Sequence, residues 1–498
     1  MRHLLKLLRP RAALFVLTPA LLLAGGLAAY AQAPATNRTW AYLLLNDSYL
    51  LDDCLLCDRV SIPVPLRGTF DLRVLEQNTL FSRYALETIS FTAGTNRAYT
   101  VKGGGTFEIG GEFALQLQAF LQVKIDAGFT NKVCYFTNTA ATIDRPWPMI
   151  DITLAQTNGT PGQVFTLRVA AAPVREIWFS TADFFAATAG PSASNIVLGG
   201  DLISTSGRVI KRNDQLSSSV GAMPPGPDLG LDAVDMLPGG EIAFSLSRDI
   251  VSETIGLLQH GDLLSSKGRI IRRNQELLAA FMPEPATNDV GLDAVQVLDT
   301  GEVLFSIATN VFSKQLNVTL RRGDLLSSEG PIRAPHQQLL ARFHATNAAK
   351  EFGLDALYIW PSGEIWFSTE DGFQDQTLGA ILAGDLLSDQ GYIVFRNSEL
   401  LNAFAPANAS SDLGLDALYV VTDATAPAGA PRLDIAAKPA TRTVELRWHG
   451  QGHVFRVERA DDVSGPFQPL SAILPDLAFD DLGRLTNRSR AWYRLGQW

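Results

Sequence analysis

The stretch that decides the fold is Gly230-Leu-Asp-Ala-Val-Asp-Met-Leu-Pro-Gly-Gly-Glu-Ile-Ala-Phe-Ser245. Its first half alternates as a half-buried strand does. Pro238-Gly239-Gly240 then reverses the chain, and Glu241 to Ser245 reads as the returning strand of a hairpin. The same signals recur in phase. Gly-Leu-Asp-Ala begins at Gly230, Gly291, Gly353 and Gly414. Gly-Asp-Leu-(Leu/Ile)-Ser begins at Gly200, Gly261, Gly323 and Gly384, and Glu-(Ile/Val)-x-Phe-Ser at Glu176, Glu241, Glu302 and Glu364. Several motifs repeating in register at about sixty residues are the signature of a repeat architecture.

Working outward, Gly261-Asp-Leu-Leu-Ser265 reads as a third strand, ending in a Ser-x-x-Gly turn. Arg269 to Arg273 reads as a fourth. Asn213, Asn274 and Asn397 follow at one offset, with His336 as the exception, and each Asn is expected to cap a short helix. The unit is then four antiparallel strands plus a helical turn or two, and such units in tandem predict a β-propeller over residues 174–423. The array opens with a second-type strand, Glu176 to Ser180, and ends with a first-type strand, Leu415 to Val421. Pairing these ends would close a ring and remove exposed edges. The rival is an open stack in which Val164 to Val169 pairs with the 176–180 strand.

The Leu-Asp-Ala strand, the Gly-Glu turn and the Phe-containing return strand resemble the blades of hemopexin-like four-bladed propellers. In that family the Asp-Ala strands line a central channel that can hold ions. The resemblance implies that Asp232, Asp293, Asp355 and Asp416 stand near an axis as an ion site. Calcium, which takes six to eight oxygens, is the ion weighed for it. The competing reading is that each Asp accepts hydrogen bonds from its own turn or the neighbouring blade. Asp201, Asp262, Asp324 and Asp385 are expected to be scaffold. Phe179, Phe244, Phe305 and Phe367 are expected to pack between blades.

The flanks lack the repeat. Arg2, Lys6, Arg9 and Arg11 precede an apolar run from Ala12 to Ala29, and Ala29-Tyr30-Ala31 matches a signal-peptidase site. Residues 1–31 are thus read as a signal peptide, leaving no membrane span in a protein that is secreted, periplasmic or on the cell surface. Residues 34–170 read as a β-sandwich or barrel, with turns and a strand bend at Gly103 to Gly111. Residues 424–431 form a linker of Ala, Pro and Gly. Residues 432–498 resemble a short fibronectin type III-like β-sandwich, with Trp448 as a buried anchor. The fold class expected for the whole chain is all-β.

Cys54 and Cys57 are expected to form a small structural disulfide, since a zinc knuckle would need a second ligand pair. Cys134 is left over. The segment Asp52-Asp-Cys-Leu-Leu-Cys-Asp-Arg59 resembles a recurrent feature of uncharacterised secreted bacterial proteins. With 498 residues, 41 basic against 51 acidic side chains and a net charge of −10, the chain lacks the basic surplus that nucleic-acid phosphates require. No zinc-protease, nucleophile-elbow or phosphate-loop motif occurs. No cofactor is implied beyond calcium. The leading expectation is a non-enzymatic binding or structural protein that presents propeller loops, such as 247–259, 308–321 and 369–383, to an extracellular protein or glycan. The alternative is an exported carbohydrate-active hydrolase or lyase with carboxylates in the propeller mouth.

Overall fold

The computed structural model describes residues 39–58, 60–94, 99–111, 116–128, 131–139, 141–142, 145–222, 228–286, 288–347, 349–408, 412–482 and 491–498. The stretch read as a signal peptide, residues 1–31, lies outside them. The chain is all-β, with 48% of residues in strands and 6% in helices.

Residues Thr39–Ala172 build one sheet of ten strands. Consecutive strands from Tyr49–Asp53 to Asn131–Thr137 pair mainly as antiparallel neighbours. Val164–Ala172 pairs with Tyr49–Asp53, with Ile150–Gln156 and with Thr39–Leu44, so the path of pairing returns on itself. Alternate residues face one core that includes Phe70, Phe91, Phe107, Leu121, Phe136 and Phe165. The glycine stretch belongs to a single long strand, Tyr99–Gly110, which corrects the expectation of turns there. Cβ atoms at Gly103 and Gly105 would strike the carbonyl oxygens of Gln122 and Phe120, so glycine permits the close strand approach. Cys54 and Cys57 are joined by a disulfide, and Cys134 is a buried free thiol.

Four four-stranded sheets follow. Three are sequential: Val234–Leu237 to Arg269–Arg272, Val295–Val297 to Ile332–Ala334, and Leu357–Ile359 to Tyr392–Phe395. In the remaining sheet Val174–Phe179 pairs with Leu418–Thr422 on one side and Leu202–Ser204 on the other. Val164–Ala172, the rival partner, pairs only within the first sheet among the described residues.

Neighbouring sheets are stapled in a cycle. The hydroxyls of Ser180, Ser245, Ser306 and Ser368 donate to the carbonyls of Leu231, Leu292, Leu354 and Leu415 at 2.7, 2.9, 2.7 and 2.6 Å. Each serine thus reaches the next sheet, and the last reaches the first. Packing follows the same cycle. Trp178 packs with Phe244, Ala243 with Phe305, Leu304 with Phe367, and Trp366 with Phe179, in four separate cores.

Two local expectations change. The Gly-Leu-Asp-Ala segments precede their strands, which start at Val234, Val295, Leu357 and Leu418. There the Ala carbonyls still accept amides of the paired strand, while the Leu carbonyls accept serine hydroxyls of the preceding sheet. The asparagines do not cap the helices. Asn213, Asn274 and Asn397 are the first helical residues, and their amide N–H groups donate to Asp201, Asp262 and Asp385 at 2.8, 3.1 and 3.0 Å. Their side chains tie two loops together, as when Asn274 donates to Gly261 and Gly291 and accepts from Val290. His336 takes the same place, with its ring nitrogen against Lys350 O and Phe352 N.

At the C-terminus, Arg432–Lys438, Thr443–His449 and Ala478–Asp481 form one sheet, and Phe455–Ala460, Gln468–Pro469 and Trp492–Gln497 another. Trp448, Phe455, Leu446 and Val457 are buried between them. Trp498 is buried beside Trp178 and Val421, and its indole donates to Asp423 Oδ1 at 3.0 Å.

Candidate functional site

The site is built where the Gly-Leu-Asp-Ala segments enter the inner strands. Gly230, Gly291, Gly353 and Gly414 have φ of 70°, 80°, 79° and 73°. A Cβ there would strike Ser247, Ala308, Glu370 and Ala182 respectively. Glycine therefore lets each segment pass under the start of the following hairpin, and the next-but-one residue, Asp, turns toward its counterparts.

Asp293 is 8% exposed, and Asp232, Asp355 and Asp416 are half-buried. Only Asp232 has a side-chain hydrogen bond, from the Ser247 hydroxyl. Burial pushes the Asp232 carboxyl up to about 6, opposed by Ser247 and His260. Burial lifts Asp293 well above the usual range, helped by the negative fields of Asp232, Glu370 and Asp416. Asp355 is raised by burial and then by Asp416, Asp293 and Asp232. Asp416 is pushed up to about 8 by burial, then by Asp232, Asp183, Asp228 and Glu370. The four acids thus share one field, as residues around an axis do. Water-poor surroundings and mutual repulsion both favour the protonated form.

Two offsets around this acid ring break the fourfold pattern. Just before each Gly-Asp-Leu stand Gly199, His260, Arg322 and Ala383. Two residues past each stapling serine stand Ala182, Ser247, Ala308 and Glu370. His260 Nδ1 lies 2.9 Å from Asp249 Oδ1 and 3.5 Å from Asp289 Oδ1. Arg322 pairs with Glu370 and, at 3.0 Å, with Asp371. Sequence reasoning missed His260, Arg322, Glu370 and Ser247. The available signal was the departure from the repeat at fixed offsets. The segments read as variable loops are themselves hairpins: Ile250–Ser252 with Gly256–Leu258, Val311–Ser313 with Val318–Leu320, and Phe373–Asp375 with Gly379–Ile381.

Asp201, Asp262, Asp324 and Asp385 are at most 4% exposed and bonded at both oxygens. Asp262, for example, accepts from Asn274 N and Gln259 N at 3.1 Å and pairs with Arg273 at 2.6 Å. Phe179, Phe244, Phe305 and Phe367 are buried in the cores between sheets. Among the described residues, no three His, Cys, Asp or Glu side chains are placed to hold a metal ion together. No described helix is long and apolar enough to cross a membrane.

The class these observations define is an all-β protein with four repeated sheets stapled in a cycle, whose Gly-Leu-Asp-Ala aspartates share one electrostatic field. No protein-family model matches the chain, and no curated protein matches it. Two solved structures, described as extracellular domains of hybrid two-component systems of B. thetaiotaomicron, align over 87% of this chain and 74% and 76% of their own. Each is 8% identical, with TM-scores of 0.19 and 0.15. Scores that low carry nothing about this chain's fold or activity.

Proposed function

We propose that the chain is an exported, non-enzymatic binding protein, secreted, periplasmic or on the cell surface. Residues 34–170 are read as a barrel-like domain, 174–423 as a closed four-bladed propeller, and 432–498 as a fibronectin type III-like module behind the 424–431 linker. The cyclic serine staples support the closed reading. The partner is an extracellular protein or glycan, met at the mouth around the acid ring. The observation that carries this reading is a fixed frame whose mouth residues differ from repeat to repeat: Ser247, His260, Arg322 and Glu370. Such variation on a rigid scaffold is how loops acquire specificity. A glycan array and a panel of extracellular matrix proteins, probed with the mature chain, test it. Binding lost in Glu370→Ala and His260→Ala supports the mouth, and retention in both overturns it.

A cation on the axis belongs to the same proposal. Asp232, Asp293, Asp355 and Asp416 are the carboxylates it would use, and since no three of them stand close enough to hold an ion together, binding would have to draw them inward. Thermal melts with calcium should then exceed melts with chelator, because a ligand of the folded state stabilises it. Equal melts remove calcium.

One observation favours a second reading, an exported carbohydrate-active enzyme. Carboxyls at about 6 and about 8 in one mouth span the range of a general acid working near neutrality. Release of reducing sugar from array-positive glycans, abolished by Asp416→Asn, would establish it.

A further inference from the structure

At the opposite end of the inner strands lies a cavity of about 530 Å³. Three of its sides are the hairpin turns at Pro238, Asp299 and Pro361. The fourth sheet has no such turn, because its inner pair is made by the two ends of the array. The linker, at Thr425 and Pro427, and the loop carrying Gln451 and His453 stand in that place. The loop is held there by Gly239 N donating to Gly452 O at 2.9 Å.

The four equivalent inner-strand positions here are Asp235, Gln296, Tyr358 and Tyr419. Asp235 and Gln296 are fixed from behind, accepting the Val297 and Ile359 amides at 2.7 Å each. Tyr358, Tyr419 and Trp360 line the cavity with aromatic surface, and the Trp360 indole N–H is buried without a hydrogen-bond partner. A buried donor without an acceptor is costly, so a ligand offering oxygen acceptors is favoured. No Lys or Arg lines the cavity among the described residues, while Asp235 and Asp299 do, which disfavours anions. Asp235 already accepts the Met236 and Val297 amides at its two oxygens, which disfavours a cation as well. What remains is a neutral, polyhydroxylated molecule with an apolar face for the aromatic wall, and the volume is that of a small-molecule site.

We propose that this cavity binds a neutral sugar unit, the terminal residue of a glycan. The proposal rests on the glycan-binding reading above and adds a second site on the face away from the acid ring. Two variants test it in the full mature chain. Gln451→Trp fills the cavity from an exposed roof position, and Tyr419→Phe removes one hydroxyl from the aromatic wall. Saturation-transfer NMR is run with the methyl glycosides of glucose, galactose, mannose and N-acetylglucosamine, and with glucuronic acid. At least one neutral glycoside should receive saturation and glucuronic acid none. Gln451→Trp should weaken binding at least tenfold and Tyr419→Phe severalfold, with unchanged melting temperatures. No transfer to any neutral glycoside, or transfer that survives Gln451→Trp, overturns the proposal. Array binding lost in Glu370→Ala but kept in Gln451→Trp rejects this cavity while the mouth reading stands. An array with no glycan bound sinks the glycan reading and the cavity together.

Discussion

Two sets of four aspartates recur in this chain, one residue type in two environments. Asp201, Asp262, Asp324 and Asp385 are buried, yet the two oxygens of each are engaged by backbone amides, with an arginine added at three of the four. Asp232, Asp293, Asp355 and Asp416 keep more contact with water, yet three of them have no hydrogen-bond partner. Repetition alone therefore does not say whether an acid is scaffold. What separates the sets is whether the local backbone turns its own amides toward the carboxylate. A satisfied acid fixes a loop, whereas an unsatisfied one leaves a field for something else to answer.

The comparison can be broken at its stable end first. Asp262→Ala should cost about 3–5 kcal/mol in urea denaturation, since it strands Arg273 and two amides. A loss under about 1 kcal/mol would show the network to be dispensable. Ser306→Ala, which removes a staple to Leu354, should cost about 1–3 kcal/mol, because a buried carbonyl loses its donor. At the unsatisfied end the sign reverses. Asp416→Asn should stabilise the protein at pH 8 by roughly 1–2 kcal/mol, allowing for the group's remaining water contact.

The same groups set a pH dependence. Their folded values lie above the ordinary 3.8, so the folded state holds more protons than the unfolded one between about pH 4 and 8. Stability from the ring is then fullest near pH 4 and falls as pH rises through 6 and 8, by at most about 1.4 kcal/mol per unit for each acid. His260, Arg322, Glu370, Asp183 and Asp228 share this field. Denaturation series at pH 5 and pH 8 should show the slope, and Asp416→Asn should flatten it. An unchanged slope in that variant would place the effect elsewhere. The smallest effect is expected far from both sets. Arg447→Ala, which removes a surface pair with Glu445, should leave the urea midpoint nearly unchanged.

Much of the frame was legible in the chain. Strand alternation, Pro-Gly-Gly and Ser-x-x-Gly turns, and three motifs in phase dictate four-stranded units, because these are local consequences of side-chain period and backbone freedom. The buried phenylalanines and the scaffold role of the Gly-Asp-Leu acids followed from the same regularity. Other features depended on groups that meet only in space. The asparagines were expected to cap helices, but the turn before a neighbouring strand supplies an aspartate for that task and frees the asparagine to join two loops. The pairing of Val174–Phe179 with Leu418–Thr422, by contrast, was expected from the phase of the repeats, although it joins segments more than two hundred residues apart. The field shared by Asp232, Asp293, Asp355 and Asp416, and the cavity beneath Gln451, exist because separate sheets converge. Periodic sequence determines what each repeat is. Only the tertiary structure decides what the repeats surround, because burial and charge at a shared centre are properties of no single repeat.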